Sequence, residues 1–311
     1  MGIFLGIDTS NYTTSAAIYN TQSGEILQQR KLLEVKSGEK GLRQSDALFQ
    51  HVKTLPVLLE NLLSGEKLDA VGFSARPRDV KGSYMPCFLA GEGTARGIAA
   101  ALSVPCYDFS HQAGHIAAAL FSIGKLSMLN TAFIAFHVSG GTTDVLLCSP
   151  QDDAAFKVEQ LAYSLDLKAG QAVDRVGLML GLDFPAGPRL ETLALQSNRQ
   201  FMIKPCLKGC DCCLSGIENI CAQMIKRGEP SCDVARFCLE FIKCTLDGMA
   251  SAVLDKLGKK LPLVFAGGVM SNSIIRRYMS EKYDADFAAS GFSSDNAAGI
   301  AALAAIKLEG L

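Results

Sequence analysis

Apolar residues in this chain gather in short runs separated by Gly, Ser and Thr turns. "GIFLGID" at the N-terminus reads as a buried strand, "TSNYT" as a turn and "TSAAIYN" as a second strand. "GEILQQRKLLEV" fits a third. Between residues 46 and 63 the period lengthens, and Leu48, His51, Val52, Leu55, Leu58, Leu59 and Leu62 fall on one face of a predicted helix. "DAVGFSA" (69–75) returns to a buried strand, "YMPCFLAGEGTARGIAAAL" to a helix rich in small residues, and "PCYDF" to a short strand. A helix beginning around "HQAGH" follows.

The opening pattern then returns. "TAFIAFHVSGGTTDVLLCS" (131–149) is again an apolar strand, a hydroxyl- and glycine-rich turn, and an amphipathic strand. Laid over "IFLGIDTSNYTTSAAIY", it places the turn in the same position. This is a weak internal repeat without a fixed period, and it predicts an α/β protein of two halves, each opening with a strand–turn–strand hairpin. Residues 1–120 are assigned to the first half and 121–311 to the second, with the boundary falling near 108–130. After the second hairpin the pattern is mostly helical, over 170–181, 187–195, 214–227, 231–257, 271–282 and 293–308. One apolar strand, "LPLVFAG", lies among these helices. The last helix, rich in Ala and Ile, is expected to pack back on the sheet.

Composition narrows the function classes. The 311 residues are 49% hydrophobic and 20% charged, ordinary for a globular chain. With 30 basic and 31 acidic side chains the net charge is −1, which argues against an autonomous nucleic-acid binder. RNA binding would need a local patch or a partner. No apolar run reaches the ~18 residues of a membrane span. The N-terminus enters a strand directly with no export signal, so a cytoplasmic location is expected. The eleven cysteines are accordingly expected to be reduced thiols.

Several segments carry chemistry. His111 and His115 stand four residues apart; on a helix they share a face and can grip one ion, but two imidazoles are half a metal site. The turn "HVSGGTTD" can aim backbone N–H groups at a phosphate, or is an ordinary hairpin turn. "DTSNYTTS" offers the same two readings, with Asp8 at the strand end. "VFAGGVMSNSIIRR" runs from a buried strand through Gly-Gly to a helix start at Ser271 or Asn272, a place where anions bind. In "GFSSDNAAGIA" one of Ser293, Ser294 or Asp295 caps the final helix. Asp174 and Arg175 lie on a helix ahead of the tight "LDFPAGP" turn. "CLKGCDCC" gathers Cys206, Cys210, Cys212 and Cys213 in a spacing that is neither a CxxC pair nor a ferredoxin run; it reads as a zinc site or as a redox-sensitive loop.

Taken in order, these motifs resemble the tRNA N6-adenosine threonylcarbamoyltransferases, a family once labelled O-sialoglycoprotein endopeptidases. The similarity covers nearly the whole chain: "LGIDTSNYTTSAAIY", "HQAGH", "VSGGTTDVL", "GQAVDRVGLMLGLDFPAGP", "LSGIENI", "VFAGGVMSNSIIR" and "FSSDNAAGIA" each look like a family motif. The resemblance implies an actin-like, sugar-kinase-like ATPase fold of two ribonuclease-H-like halves. It implies one divalent metal, iron or zinc, held by His111, His115 and Asp295. It implies nucleotide contacts (ATP or an acyl-adenylate) from His137, Val138, Ser139, Gly140, Gly141, Asp174, Gly187 and Asn272. The implied activity is transfer of a threonylcarbamoyl group from its adenylate to N6 of adenosine in tRNA. The implied partners are tRNA held through other proteins, a non-catalytic paralogue and a small ATPase subunit, with no membrane involved. The peptidase label finds no support, because HxxxH lacks the glutamate of HExxH that serves zinc proteases as general base.

The chain departs from the family pattern at polar positions. Asn11, Tyr12 and Thr13 stand where the first hairpin usually has acidic residues. Thr142 stands where a histidine usually follows Gly-Gly, Gln171 where an acid precedes Ala, and Asp166 is followed by Leu167 instead of a second Asp. A neutral amide cannot accept a proton as a carboxylate can. Two alternatives to the transferase therefore stand: a divergent paralogue with another acyl or carbamoyl acceptor or an ATP-binding role, and a non-catalytic nucleotide- or metal-binding module.

Overall fold

A computed structural model describes residues 1–10, 12–35, 42–151, 155–292 and 297–310. It divides into two units. The first comprises Met1–Thr131, Pro150–Lys157 and Gly291–Leu311, the second Ala132–Ser149 and Val158–Ser290.

In the first unit the chain runs β1 (Ile3–Asp8), β2 (Thr13–Asn20), β3 (Glu25–Leu32), α1 (Gln44–Leu62), β4 (Ala70–Arg76), α2 (Phe88–Leu102), β5 (Cys106–Ser110) and α3 (His111–Ser122). The sheet order is β3-β2-β1-β4-β5. β1, β2 and β3 are antiparallel neighbours, while β4 runs parallel to both β1 and β5. β1 is buried on both faces, as a central strand must be, and β3 is the exposed edge. The buried stripe of α1 is Ala47, His51, Leu55, Leu58, Leu59 and Leu62. Val52, placed on that face by periodicity, is 55% exposed. It lies a step of ~100° from His51, outside the stripe that contacts the sheet.

The C-terminal helix, Ala297–Glu309, packs on this sheet and on α3. It is buried from Ala297 to Ala305 without a polar face, so it is a core helix. Its small residues allow backbone to meet backbone. A Cβ on Gly299 would lie 1.9 Å from the Gly114 carbonyl oxygen on α3, and one on Gly6 would lie 2.2 Å from that of Ala297. The position of α3, which carries both histidines, is set by this contact.

The second unit contains β6 (Phe133–Val138), β7 (Thr143–Ser149), β8 (Lys157–Tyr163), α4 (Ala169–Met179), α5 (Gly187–Ala194), β9 (Cys206–Lys208), β10 (Asp211–Cys213), α6 (Gly216–Lys226), α7 (Ser231–Leu257), β11 (Leu263–Ala266), α8 (Ser273–Tyr283) and β12 (Asp286–Phe287). Its main sheet is ordered β12-β11-β6-β7-β8. β6 pairs antiparallel with β7, and β11 is parallel to β6 and β12. The strand order repeats that of the first unit element for element, so the faint sequence repeat marks a structural one. Phe136, Phe265 and Phe287 stack through the core at centroid distances of 4.5 and 5.1 Å. Burying each such ring contributes on the order of 2–3 kcal/mol.

The helices of this unit form where periodicity places them. The strands correct the expectation of a single strand among them, because β8, β9, β10 and β12 are also present. β8 is a mostly exposed strand at the sheet edge whose residues do not alternate, and β12 has two residues, so neither leaves a period-two signal. No helix among the described residues is long and apolar enough to cross a membrane.

Candidate functional site

The first unit brings two expected residues together. β5 ends at Ser110, whose hydroxyl caps α3 by accepting the Ala113 N–H at 3.1 Å and donates to Asp79 Oδ2 at 2.6 Å. His111 is therefore the first residue of the helix and His115 lies one turn on. Their rings meet edge-to-face with centroids 4.6 Å apart. Asp8, at the carboxyl end of β1, reaches the same place: both its oxygens lie 3.2 Å from His111 Nδ1. Ser10 Oγ donates to Asp8 Oδ2 at 2.9 Å. Asp8 is buried, which by itself disfavours its charge, yet the facing His111 ring and the Ser10 hydroxyl outweigh burial and hold its carboxyl below the usual carboxylate range. A charged Asp8 accepting from Nδ1–H is the arrangement by which carboxylates orient metal-ligating histidines.

The turn after β1 is tied down from beneath. Thr9 Oγ1 donates to the Cys87 carbonyl at 3.0 Å and accepts the Gly91 N–H at 3.1 Å, fastening the turn to α2. Thr14 Oγ1 lies 2.8 Å from Nδ1 of fully buried His51. His51 Nε2 has no hydrogen-bond partner among the described residues. Burial depresses the His51 pKa to about 4, although the Asp8 charge acts in the opposite direction.

Asp8 is the site residue missing from the sequence-derived set. Its signal was an acid as the last residue of a buried strand, followed by hydroxyls. Asp295, the third expected metal ligand, lies outside the described residues, as do Ser293, Ser294 and Asn11. Among the described residues no three His, Cys, Asp or Glu side chains are grouped to hold a metal. This corrects the zinc reading of the cysteine cluster: Cys206, Cys212 and Cys213 are spaced by β-hairpin register, with Cys210 in the turn.

In the second unit the β6–β7 turn carries His137 to Thr142. Ser139 N–H donates to the Thr142 carbonyl at 2.8 Å, and Gly170 N–H to the Ser139 carbonyl at 3.1 Å. Two glycines make this closeness possible. A Cβ on Gly170 would lie 2.6 Å from Gly140 N. Gly267, at φ 102°, would put a Cβ 2.3 Å from the Val138 carbonyl oxygen. Gly140 and Gly141 have nothing within 4 Å of where a Cβ would stand, so the outer side of the turn is open. The start of α4 docks here, with Ala169 N–H donating to Thr143 Oγ1 at 2.9 Å. Gln171 returns to the Lys168 N–H at 3.3 Å, a capping contact that a neutral amide serves well.

The remaining expected residues also hold structure. Asp174 Oδ1 accepts the Ala186 N–H at 2.9 Å, just ahead of Gly187 and α5. Asn272 Oδ1 caps α8 through the Ile275 N–H at 3.2 Å. The Ser273 N–H of the same first turn is held by the Glu191 carboxylate at 2.7 Å. Asp166 accepts from the Leu167, Leu214 and Ser215 N–H groups and from the Ser215 hydroxyl. Burial opposes its charge, and these donors hold its pKa below the ordinary value.

Comparison with known proteins bears on the fold and the family. In the solved structures, component A of the (R)-2-hydroxyglutaryl-CoA dehydratase of Acidaminococcus fermentans superposes with a TM-score of 0.58 at 16% identity, over 99% of both chains. The activator of the 2-hydroxyisocaproyl-CoA dehydratase from Clostridium difficile, solved with bound ADPNP, matches with a TM-score of 0.53 at 14% identity, covering 98% of this chain and 95% of that one. HypF of T. kodakarensis gives 0.61 at 13% identity, covering 99% of this chain but 48% of its own. At these identities the likeness establishes the fold alone, the actin-like, sugar-kinase-like ATPase fold. The family model TsaD, tRNA N6-adenosine threonylcarbamoyltransferase, matches residues 26–302. With most of its length matched, this chain belongs to the tRNA N6-adenosine threonylcarbamoyltransferase family.

Proposed function

We propose that the chain transfers a threonylcarbamoyl group from threonylcarbamoyl-adenylate to N6 of adenosine in tRNA, with one divalent ion, iron or zinc, held by His111, His115 and Asp295. The observation that carries this reading is the Asp8–His111 pair at 3.2 Å beside the His115 ring. A buried carboxylate that orients one of two adjacent imidazoles is the support such a metal ligand needs. Bound there, the ion supplies Lewis-acid polarisation of a carbonyl or phosphate oxygen. The open side of the turn at Gly140 and Gly141 suits backbone contact with phosphate oxygens, and Asp174 is a carboxylate suited to ribose hydroxyls. His137, Val138, Ser139, Gly187 and Asn272 complete the nucleotide set. The net charge of −1 leaves RNA binding to partner proteins, a non-catalytic paralogue and a small ATPase subunit.

One observation favours a divergent paralogue with a different acceptor. The family match starts at residue 26, after the first hairpin, and Tyr12 is 39% exposed where the family carries acids. Metal content per chain separates these readings from a relic fold. Near-stoichiometric iron or zinc that is lost in the His111→Ala/His115→Ala double variant supports the metal site. Transfer to tRNA by the metal-loaded protein with its partners supports the transferase, and metal without transfer to tRNA supports the paralogue. A metal-free wild type after reconstitution overturns both.

A further inference from the structure

The hairpin of β9 and β10 is the one cysteine-rich motif that the proposed function leaves unused. Its register sets Cys206 directly opposite Cys213, with Leu207 opposite Cys212 and Lys208 opposite Asp211. Cross-strand partners project to the same face. Burial raises the pKa of the Cys213 thiol, and the nearby Asp166 and Cys206 side chains raise it further. Partners in an antiparallel pair have Cα atoms about 4.5–5.5 Å apart, inside the range that a disulfide spans. The other two thiols are placed differently. Cys212 projects to the opposite face and is fully buried, with burial raising its pKa to about 11. Cys210 belongs to the turn with Gly209 and has no partner in the register.

We propose that Cys206 and Cys213 are a reversible dithiol, a site of intramolecular disulfide formation by exchange with a low-molecular-weight disulfide. Cys206 is exposed and is the point of entry; Cys213 is half-buried and resolves. The Cys206 thiol gives up its proton, and its sulfur attacks one sulfur of the small disulfide. That S–S bond breaks, a mixed disulfide forms on Cys206, and the departing thiolate takes up a proton. The Cys213 thiol then loses its proton and attacks the Cys206 sulfur, and the second small thiolate leaves and is protonated. Two protein thiols are oxidised and one small disulfide is reduced to two thiols.

The link closes only a short loop, so it constrains the unfolded chain little, and exposed disulfides of this kind are the readily reduced ones. What it would stiffen is β10. This strand receives the Leu165 N–H on the Cys212 carbonyl at 2.8 Å and the Tyr163 N–H on Asp211 Oδ1 at 2.9 Å. It runs directly into Leu214 and Ser215, whose N–H groups are held by Asp166 ahead of α4. The oxidation state of the pair therefore bears on the segment that leads into α4.

The test uses the full chain titrated with oxidised glutathione, alkylated, and mapped by peptide mass spectrometry. The expected product is a Cys206–Cys213 link, lost in Cys206→Ser and in Cys213→Ser and retained in Cys210→Ser. Amide hydrogen exchange at Leu165, Leu214 and Ser215 is expected to slow about tenfold on oxidation and to recover on reduction. Glutathione accumulating on Cys206 as a stable mixed disulfide, or a link mapping to Cys210, overturns the proposal. A Cys206–Cys213 link without slower exchange overturns its coupling to α4.

Discussion

Both carboxylate oxygens of Asp8 lie 3.2 Å from Nδ1 of His111, joining the end of β1 to the first residue of α3. The consequence is testable without any activity. Asp8→Asn keeps the shape and one acceptor but removes the charge that holds the imidazole. Zinc affinity, measured by chelator competition, is expected to fall 10–100-fold, the usual cost of losing a supporting carboxylate. Unchanged affinity would mean that Asp8 serves the hairpin alone.

His51 predicts how stability responds to acid. Its folded pKa is about 4 against an ordinary 6.5, so between these values the unfolded chain takes up a proton that the native state does not. Stability then rises with pH across the window: the His51 contribution is complete above about 6.5 and falls away as the solution is acidified toward 4. Its full size is on the order of 3 kcal/mol. Urea unfolding of wild type and His51→Leu at several pH values checks this. The variant is expected to show a flatter profile between pH 6.5 and 4, and parallel profiles would refute the assignment.

Much of this architecture is legible in the sequence. The two hairpins, the helix periods and the order of motifs lead to two similar halves, because buried central strands and amphipathic helices leave strong periodic signals. His111 and His115 are visible as a pair because helical spacing is local. Asp8 is not visible as their neighbour: a separation of 103 residues is bridged by the parallel sheet, and no local pattern encodes which strand end faces which helix start. The cysteine run is ambiguous for the opposite reason. Four cysteines in eight residues suit a zinc site or a redox-sensitive loop, and only the tight hairpin makes residues 206 and 213 neighbours and turns Cys212 away from them. Edge strands such as β8, exposed over most of their length, carry too little hydrophobic pattern to be read.

The glycines separate into those that hold the fold and those that do not. Gly299→Ala would force a methyl group to 1.9 Å from the Gly114 carbonyl oxygen, and two helix backbones must part to admit it. A loss of about 2–4 kcal/mol is expected from chemical denaturation. Gly93 lies inside α2 with nothing within 4 Å of where a methyl group would stand, and Gly93→Ala is expected to gain about 0.5–1 kcal/mol. Equal effects at the two positions would contradict the close approach of α3 and the C-terminal helix.

Asn272 poses the sharper question of whether a cap is also a ligand contact. Its Oδ1 accepts the Ile275 N–H at 3.2 Å, a bond that accounts for the residue without any nucleotide. Asn272→Asp preserves that acceptor, and Asp is as good an N-cap as Asn, so stability is expected to change by less than about 0.5 kcal/mol. Asn272→Ala removes the cap and is expected to cost about 0.5–2 kcal/mol. Nucleotide affinity moves differently. If the side chain meets the nucleotide, a carboxylate close to phosphate weakens ATP binding in Asn272→Asp by about tenfold, or ~1.4 kcal/mol, while the fold is untouched. Calorimetric titration with ATP beside urea unfolding of the same two variants separates the roles. Loss of affinity confined to the destabilised Ala variant would make Asn272 a cap and nothing more. Loss in the stable Asp variant would place its side chain against the nucleotide.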